Sequence, residues 1–181
     1  MSALRRIFEV AASGWRGFAT NRVISARKHI DYALGFISLG LGTAAREELA
    51  CLSPAELSHK STLPARLEIA MLEECWEEVP LLAHQATELE ATQERPWIAW
   101  AYALRELQQV AAAREVLLRG ERAIPEPSPL VGYNLACYFC LLGDLPEALR
   151  RLKVVFAREP AWKAEAANDP DLAALRPDYK G

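Results

Sequence analysis

The chain has 181 residues, of which 51% are hydrophobic and 25% charged, with a net charge of −3. This is the composition of one globular domain able to bury a core. The acidic balance argues against general nucleic-acid binding, whose affinity comes from clustered Lys and Arg, and no apolar run approaches the roughly 20 residues of a membrane-spanning helix.

Good helix formers (Ala, Leu, Glu, Arg) dominate, and Val, Ile and Thr never alternate over a length that suits a strand, so the fold class expected is all-α. Residues 1–25 form a basic amphipathic segment. Leu4, Ile7, Phe8, Ala11, Trp15 and Phe18 recur at helical spacing among Arg5, Arg6 and Arg16. A capping helix, a transit-type leader and a helix on an anionic membrane surface all fit that pattern. A secretory signal does not fit, because no apolar core follows the arginines.

From Ala26 the chain reads as helical hairpins. The first sets Tyr32, Ala33 and Phe36 before a Leu39–Gly42 turn and Ala45, Leu49 and Leu52 after it. Residues 53–62 (SPAELSHKST) are expected to be an irregular connector. The second hairpin, with Leu63, Leu67, Ala70 and Met71 followed by Trp76, Val79, Ala83 and Ala86, carries the weakest pattern. Its Pro80 suits the first turn of a helix, where a missing N–H costs little. The third has Trp97, Trp100, Ala101 and Leu104, then Ala113 and Leu117, closing at Pro125. In the fourth, Leu135, Ala136 and Phe139 precede Gly143-Asp144, while Ala148, Leu152 and Val155 lead to Pro160. The second-helix anchors Ala45, Val79, Ala113 and Ala148 are separated by 34, 34 and 35 residues. After Pro160, residues 161–181 read as a C-terminal cap, with Asp169-Pro170 as N-cap and first position of a short helix.

The hairpin 129–160 resembles a tetratricopeptide repeat, with Leu135-Ala136, Phe139, Ala148, Leu152 and Pro160 in the repeat's pattern positions. The resemblance covers residues 26–160. It implies an α-solenoid of about four such hairpins between a basic N-terminal helix and a C-terminal capping helix. It also implies a concave groove, lined by the first helix of each hairpin, that binds a peptide or partner helix. Matched residue by residue, the partner-binding positions are Arg95, Ile98, Tyr102 and Arg105 in the third hairpin and Tyr133, Asn134 and Cys137 in the fourth. Arg95 and Arg105 would orient a ligand carboxylate. Relatives that clamp the acidic tail of heat-shock chaperones present a Lys/Asn/Arg set, of which Asn134 alone stands here. All-helical secretion chaperones built on such repeats, which shield apolar client segments, are an alternative in the same spirit.

The case for chemistry is thin. Cys137 and Cys140 form CYFC, the spacing of half a zinc site or of a redox pair, but no second pair exists and His29, His59 and His84 lie in different hairpins. Glu73, Glu74, Glu77 and Glu78 read as a solvated edge. No Walker loop, dinucleotide fingerprint, GxSxG or HExxH occurs. The expectation is a non-catalytic, cofactor-free scaffold that binds a protein or peptide. Four cysteines set within helical patterns suit a reducing, cytoplasmic setting.

Overall fold

In the computed structural model, residues 24–175 are described, and all of their regular structure is helical. The predicted basic N-terminal helix lies almost wholly outside these residues, as does the end of the chain. The α-helices are α1 (Ala26–Ser38), α2 (Gly42–Ala50), α3 (Pro54–Leu57), α4 (Leu63–Leu72), α5 (Val79–Leu89), α6 (Glu94–Glu106), α7 (Val110–Ala123), α8 (Pro129–Leu141), α9 (Leu145–Arg158) and α10 (Trp162–Asn168). Two 3-10 turns, Lys60–Thr62 and Pro170–Leu175, complete the described chain. Long helices pack mainly against their neighbours in sequence, α1 on α2, α5 on α6, α6 on α7, α7 on α8 and α8 on α9.

The same reversal recurs four times. Gly40, Glu74, Gln108 and Gly143 have φ of 72°, 55°, 62° and 83°, and they are the positive-φ residues of the described chain. Each follows the first helix of a pair. In the next position, Leu41, Cys75, Gln109 and Asp144 donate backbone N–H bonds of 2.8–2.9 Å to Phe36, Ala70, Leu104 and Phe139, five residues back. The carbonyls of these four residues then accept the N–H of Ala45, Val79, Ala113 and Ala148. The left-handed residue satisfies carbonyls that the ending helix leaves free, and the chain turns at once into the next helix. Glycine takes that conformation without a Cβ clash at Gly40 and Gly143, whereas Glu74 and Gln108 are held there by the surrounding hydrogen bonds. The hairpin with the weakest sequence pattern therefore has the same turn as the others.

Packing follows the same register. Ala33, Ala45, Val79, Ala101, Ala113, Ala136 and Ala148 are completely buried. A methyl or a small branched side chain at these sites lets paired helices approach closely. The core runs as successive layers. Ala65 and Ile69 of α4 belong to the layer with α1 and α2. Leu67 and Ala70 of the same helix join Val79, Leu82 and Ala83 of α5. Helix α6 divides likewise, giving Ala99 and Ala103 to that middle layer and Trp97, Ala101 and Leu104 to the C-terminal one. Tight fit is clearest where Gly120 of α7 meets Trp97, since a Cβ on Gly120 would stand 2.7 Å from the tryptophan Cβ and Cγ.

Three stretches differ from their sequence reading. Residues 53–62 are not irregular. The Ser53 hydroxyl accepts the Glu56 N–H, and the Glu56 carboxylate accepts the Ser53 N–H, a capping box that starts α3 at Pro54. Thr62 is buried and its hydroxyl donates to the Leu57 and His59 carbonyls. Nor are all four glutamates around Trp76 free in solvent, because Arg46 of α2 pairs with Glu73 at 2.5 Å and Glu78 at 3.6 Å. The expected short helix after Asp169 is a 3-10 turn. Asp169 caps it by accepting the Asp171 N–H at 2.9 Å, and Leu172 and Leu175 bury themselves in the C-terminal layer.

Ala148→Leu should lower stability by about 1–3 kcal/mol, because added methylenes have no space at a helix contact. An unchanged urea midpoint would remove Ala148 from that contact. Gln108→Gly should act in the opposite direction, raising stability by about 0.5–1 kcal/mol through relief of the left-handed backbone. A lower urea midpoint for that variant would show that Gln108 is not strained.

Candidate functional site

The C-terminal 3-10 turn lies against α8 and meets the end of α6, and a recess of about 770 Å³ opens where these elements join α10. Its lining includes Tyr102 and Arg105 of α6, Tyr133, Asn134, Cys137 and Tyr138 of α8, and Trp162 of α10. Five of the seven residues expected to bind a partner thus share one recess, namely Tyr102, Arg105, Tyr133, Asn134 and Cys137. Of these, Tyr102 and Cys137 are equivalent, each following the buried alanine of its helix (Ala101 and Ala136), whereas Ile98, the counterpart of Tyr133, is outside the lining.

The other two lie elsewhere. Ile98 is buried in the C-terminal core layer. Arg95 lines a separate recess with Leu63, Pro64 and Glu68, where it makes a two-pronged ion pair with Glu68 at 2.7 and 2.6 Å. Arg105 is similarly engaged. Its guanidinium donates to both carboxylate oxygens of Asp171 and, at 3.1 Å, to Glu106. Both arginines expected to receive a ligand carboxylate therefore already hold one from their own chain. Bidentate pairs of this kind are among the stronger hydrogen-bonded contacts, and Asp171 keeps Arg105 protonated by raising its pKa further.

Asp169 organises the opposite side. It accepts the Tyr133 hydroxyl at 2.8 Å, and the Cys137 thiol lies 3.6 Å from the same oxygen. The Tyr133 ring stands 4.7 Å from that of Trp162, tilted by 35°. Tyr102 packs edge-on against Trp76 at 5.7 Å and remains the most exposed aromatic of the lining. Burial, together with the Asp169 carboxylate, pushes the Tyr133 phenol and the Cys137 thiol well above their ordinary values. Burial is the leading cause of the rise at Tyr138, with nearby charges adding to it. All three groups remain protonated near neutral pH, and Tyr133 and Cys137 donate to Asp169.

The cysteine pair has the same character. Cys137 and Cys140 are both buried, and burial raises both thiols. A reactive cysteine needs the reverse, an electropositive and accessible setting that favours thiolate. Among the described residues, the three metal-capable side chains that gather at ligand-like separations are His29, Glu48 and Cys51, where α1 meets α2. His29 Nδ1 and Glu48 Oε2 are 2.8 Å apart there and tie the two helices together.

The sequence reading had no signal for Trp162, Asp169 and Asp171 as part of this face. Their residue types fit a cap, and only the return of the chain beside α8 turns them inward.

A thiol titration at pH 8 checks this electrostatic picture. Exposed Cys51 should react readily with a disulfide reagent, whereas Cys137 and Cys140 should react only after unfolding. Rapid modification of the CYFC pair in the folded protein would contradict its burial.

No protein-family model matches the chain, and searches among curated proteins and among solved structures give no significant match.

Proposed function

We propose that this chain is a non-catalytic docking protein, an α-solenoid of four tetratricopeptide-like hairpins that holds a peptide or partner helix against the face shared by α6 and α8. The observation that carries the reading is the convergence of Tyr102, Arg105, Tyr133, Asn134 and Cys137 on one recess. Those residues were selected by repeat register, without regard to where the chain ends. The fourfold turn geometry adds support, because repeated hairpins stack with equivalent first-helix positions on a common side.

The recess also has the composition of a recognition surface. Tyrosine, tryptophan and arginine carry a disproportionate share of binding energy at interfaces, and here Tyr133, Trp162 and Arg105 are held by hydrogen bonds to Asp169, Glu159 and Asp171. The protonated, buried thiols suit packing and hydrogen bonding rather than redox turnover. Four free cysteines suit a reducing compartment such as the cytoplasm.

Selection of a displayed random-peptide library on the full chain, followed by affinity measurement on an enriched peptide, tests the reading. Replacing Tyr102 and Asn134 together by Ala should weaken that peptide about 30-fold, equivalent to about 2 kcal/mol for a hot-spot pair. Helicity should be unchanged, because Tyr102 is exposed and Asn134 only partly buried. Equal binding to parent and double variant would place the docking site elsewhere.

A further inference from the structure

The recess is acidic. Glu106, Glu159, Glu165, Asp169 and Asp171 all line it, and Arg105 is the one basic side chain among the lining residues. That arginine is spent on Asp171 and Glu106. Glu165, exposed on α10, forms no ion pair with any described residue. The surface offered to a ligand is therefore net negative, and a cleft lined by one sign of charge draws in the opposite one.

The aromatic lining favours the same kind of ligand. Tyr133 and Trp162 stand ring beside ring at 4.7 Å, and Tyr102 and Tyr138 add two more π-systems. Aromatic faces attract guanidinium and ammonium groups, most strongly where water is displaced. An independent observation comes from Tyr138. Its side chain is 3% exposed and contributes to the recess wall, yet its hydroxyl has no hydrogen-bond partner among the described residues. Buried polar groups are nearly always paired, so this orphan hydroxyl, shielded from solvent in a residue of the recess wall, keeps an unused hydrogen-bonding capacity that a ligand group can meet.

We propose that this recess receives a cationic side chain, an arginine or lysine presented by a basic segment of a partner protein. The proposal rests on the docking reading above and gives the partner its chemistry. The molecule itself shows how such a group is held: Arg105 lies between two carboxylates of the same recess. A recess of about 770 Å³ takes a long side chain with part of its flanking backbone rather than a lone ion. An acidic ligand would have to break the Arg105–Asp171 pair and then face the remaining carboxylates.

The test uses the full chain and three synthetic peptides, measured by titration calorimetry. The first is acetyl-Ala-Leu-Arg-Ala-Leu-Arg-Ala-amide, the second replaces each arginine by neutral, near-isosteric citrulline, and the third by glutamate. The arginine peptide should bind about tenfold or more tightly than the citrulline peptide, as expected for charge-assisted contacts, and the glutamate peptide more weakly still. Its affinity should fall about three- to tenfold in Glu165→Gln and in Tyr138→Phe, with citrulline-peptide binding little changed. Tyr138→Phe keeps the ring and removes only the hydroxyl, and Glu165 is exposed, so both variants should fold.

Equal affinity for arginine and citrulline peptides, or no binding by any of the three, overturns the cationic assignment. So does an arginine preference untouched by either substitution, since the charge effect would then belong to another acidic surface. If the glutamate peptide binds best and is lost in the Tyr102/Asn134 double variant, the docking face stands and its partner is acidic. If library-derived peptides ignore that double variant, the docking reading fails by its own measurement.

Discussion

The close approach of paired helices is the constraint on which the rest depends. Two helices can lie against each other at Ala136 and Ala148 only if the chain reverses within a few residues, and the left-handed residue at Gly143 makes that possible. The same geometry returns at Gly40, Glu74 and Gln108 with different side chains. A backbone solution is being repeated more faithfully than its residues. Where glycine is absent, packing and hydrogen bonds must outweigh a conformational cost of about 1–2 kcal/mol.

Packing of α6 on α7 and of α7 on α8 brings side chains of two first helices together. Tyr102 and Arg105 end up beside Tyr133, Asn134 and Cys137 although about thirty residues separate them. The same stacking explains the ties between layers. Glu94 at the start of α6 accepts both the N–H and the hydroxyl of Ser128 at the start of α8. Arg151 of α9 pairs with Glu121 of α7 at 2.8 Å while lying over the Phe139 ring. Such contacts join one hairpin to the next without adding to the recess.

The last segment changes the meaning of the face it joins. Leu172 and Leu175 anchor the chain in the C-terminal layer, and that anchoring delivers Asp169 and Asp171 to Tyr133 and Arg105. A groove to which its first helices bring aromatics, one arginine and one glutamate becomes aromatic and acidic. The two donors are satisfied within the chain, and the carboxylates around them set the sign of the field.

The sequence by itself determined the all-helical class, the hairpin boundaries and the buried alanines, because helical periodicity, turn glycines and a 34-residue spacing are local or regularly repeated properties. Five of the seven partner-binding positions it named share the recess, while the remaining lining residues come mostly from the C-terminal segment. The capping box at Ser53 and Glu56 was written in the sequence too, but in a polar stretch that reads more readily as a connector. Only the tertiary structure decided that Ile98 is core, that Arg95 pairs with Glu68, and that Arg105 is neutralised by a residue 66 positions away. Long-range ion pairing leaves no period in a sequence. The charge of the recess depends on such pairs, and they exist only once the chain has folded back beside α8.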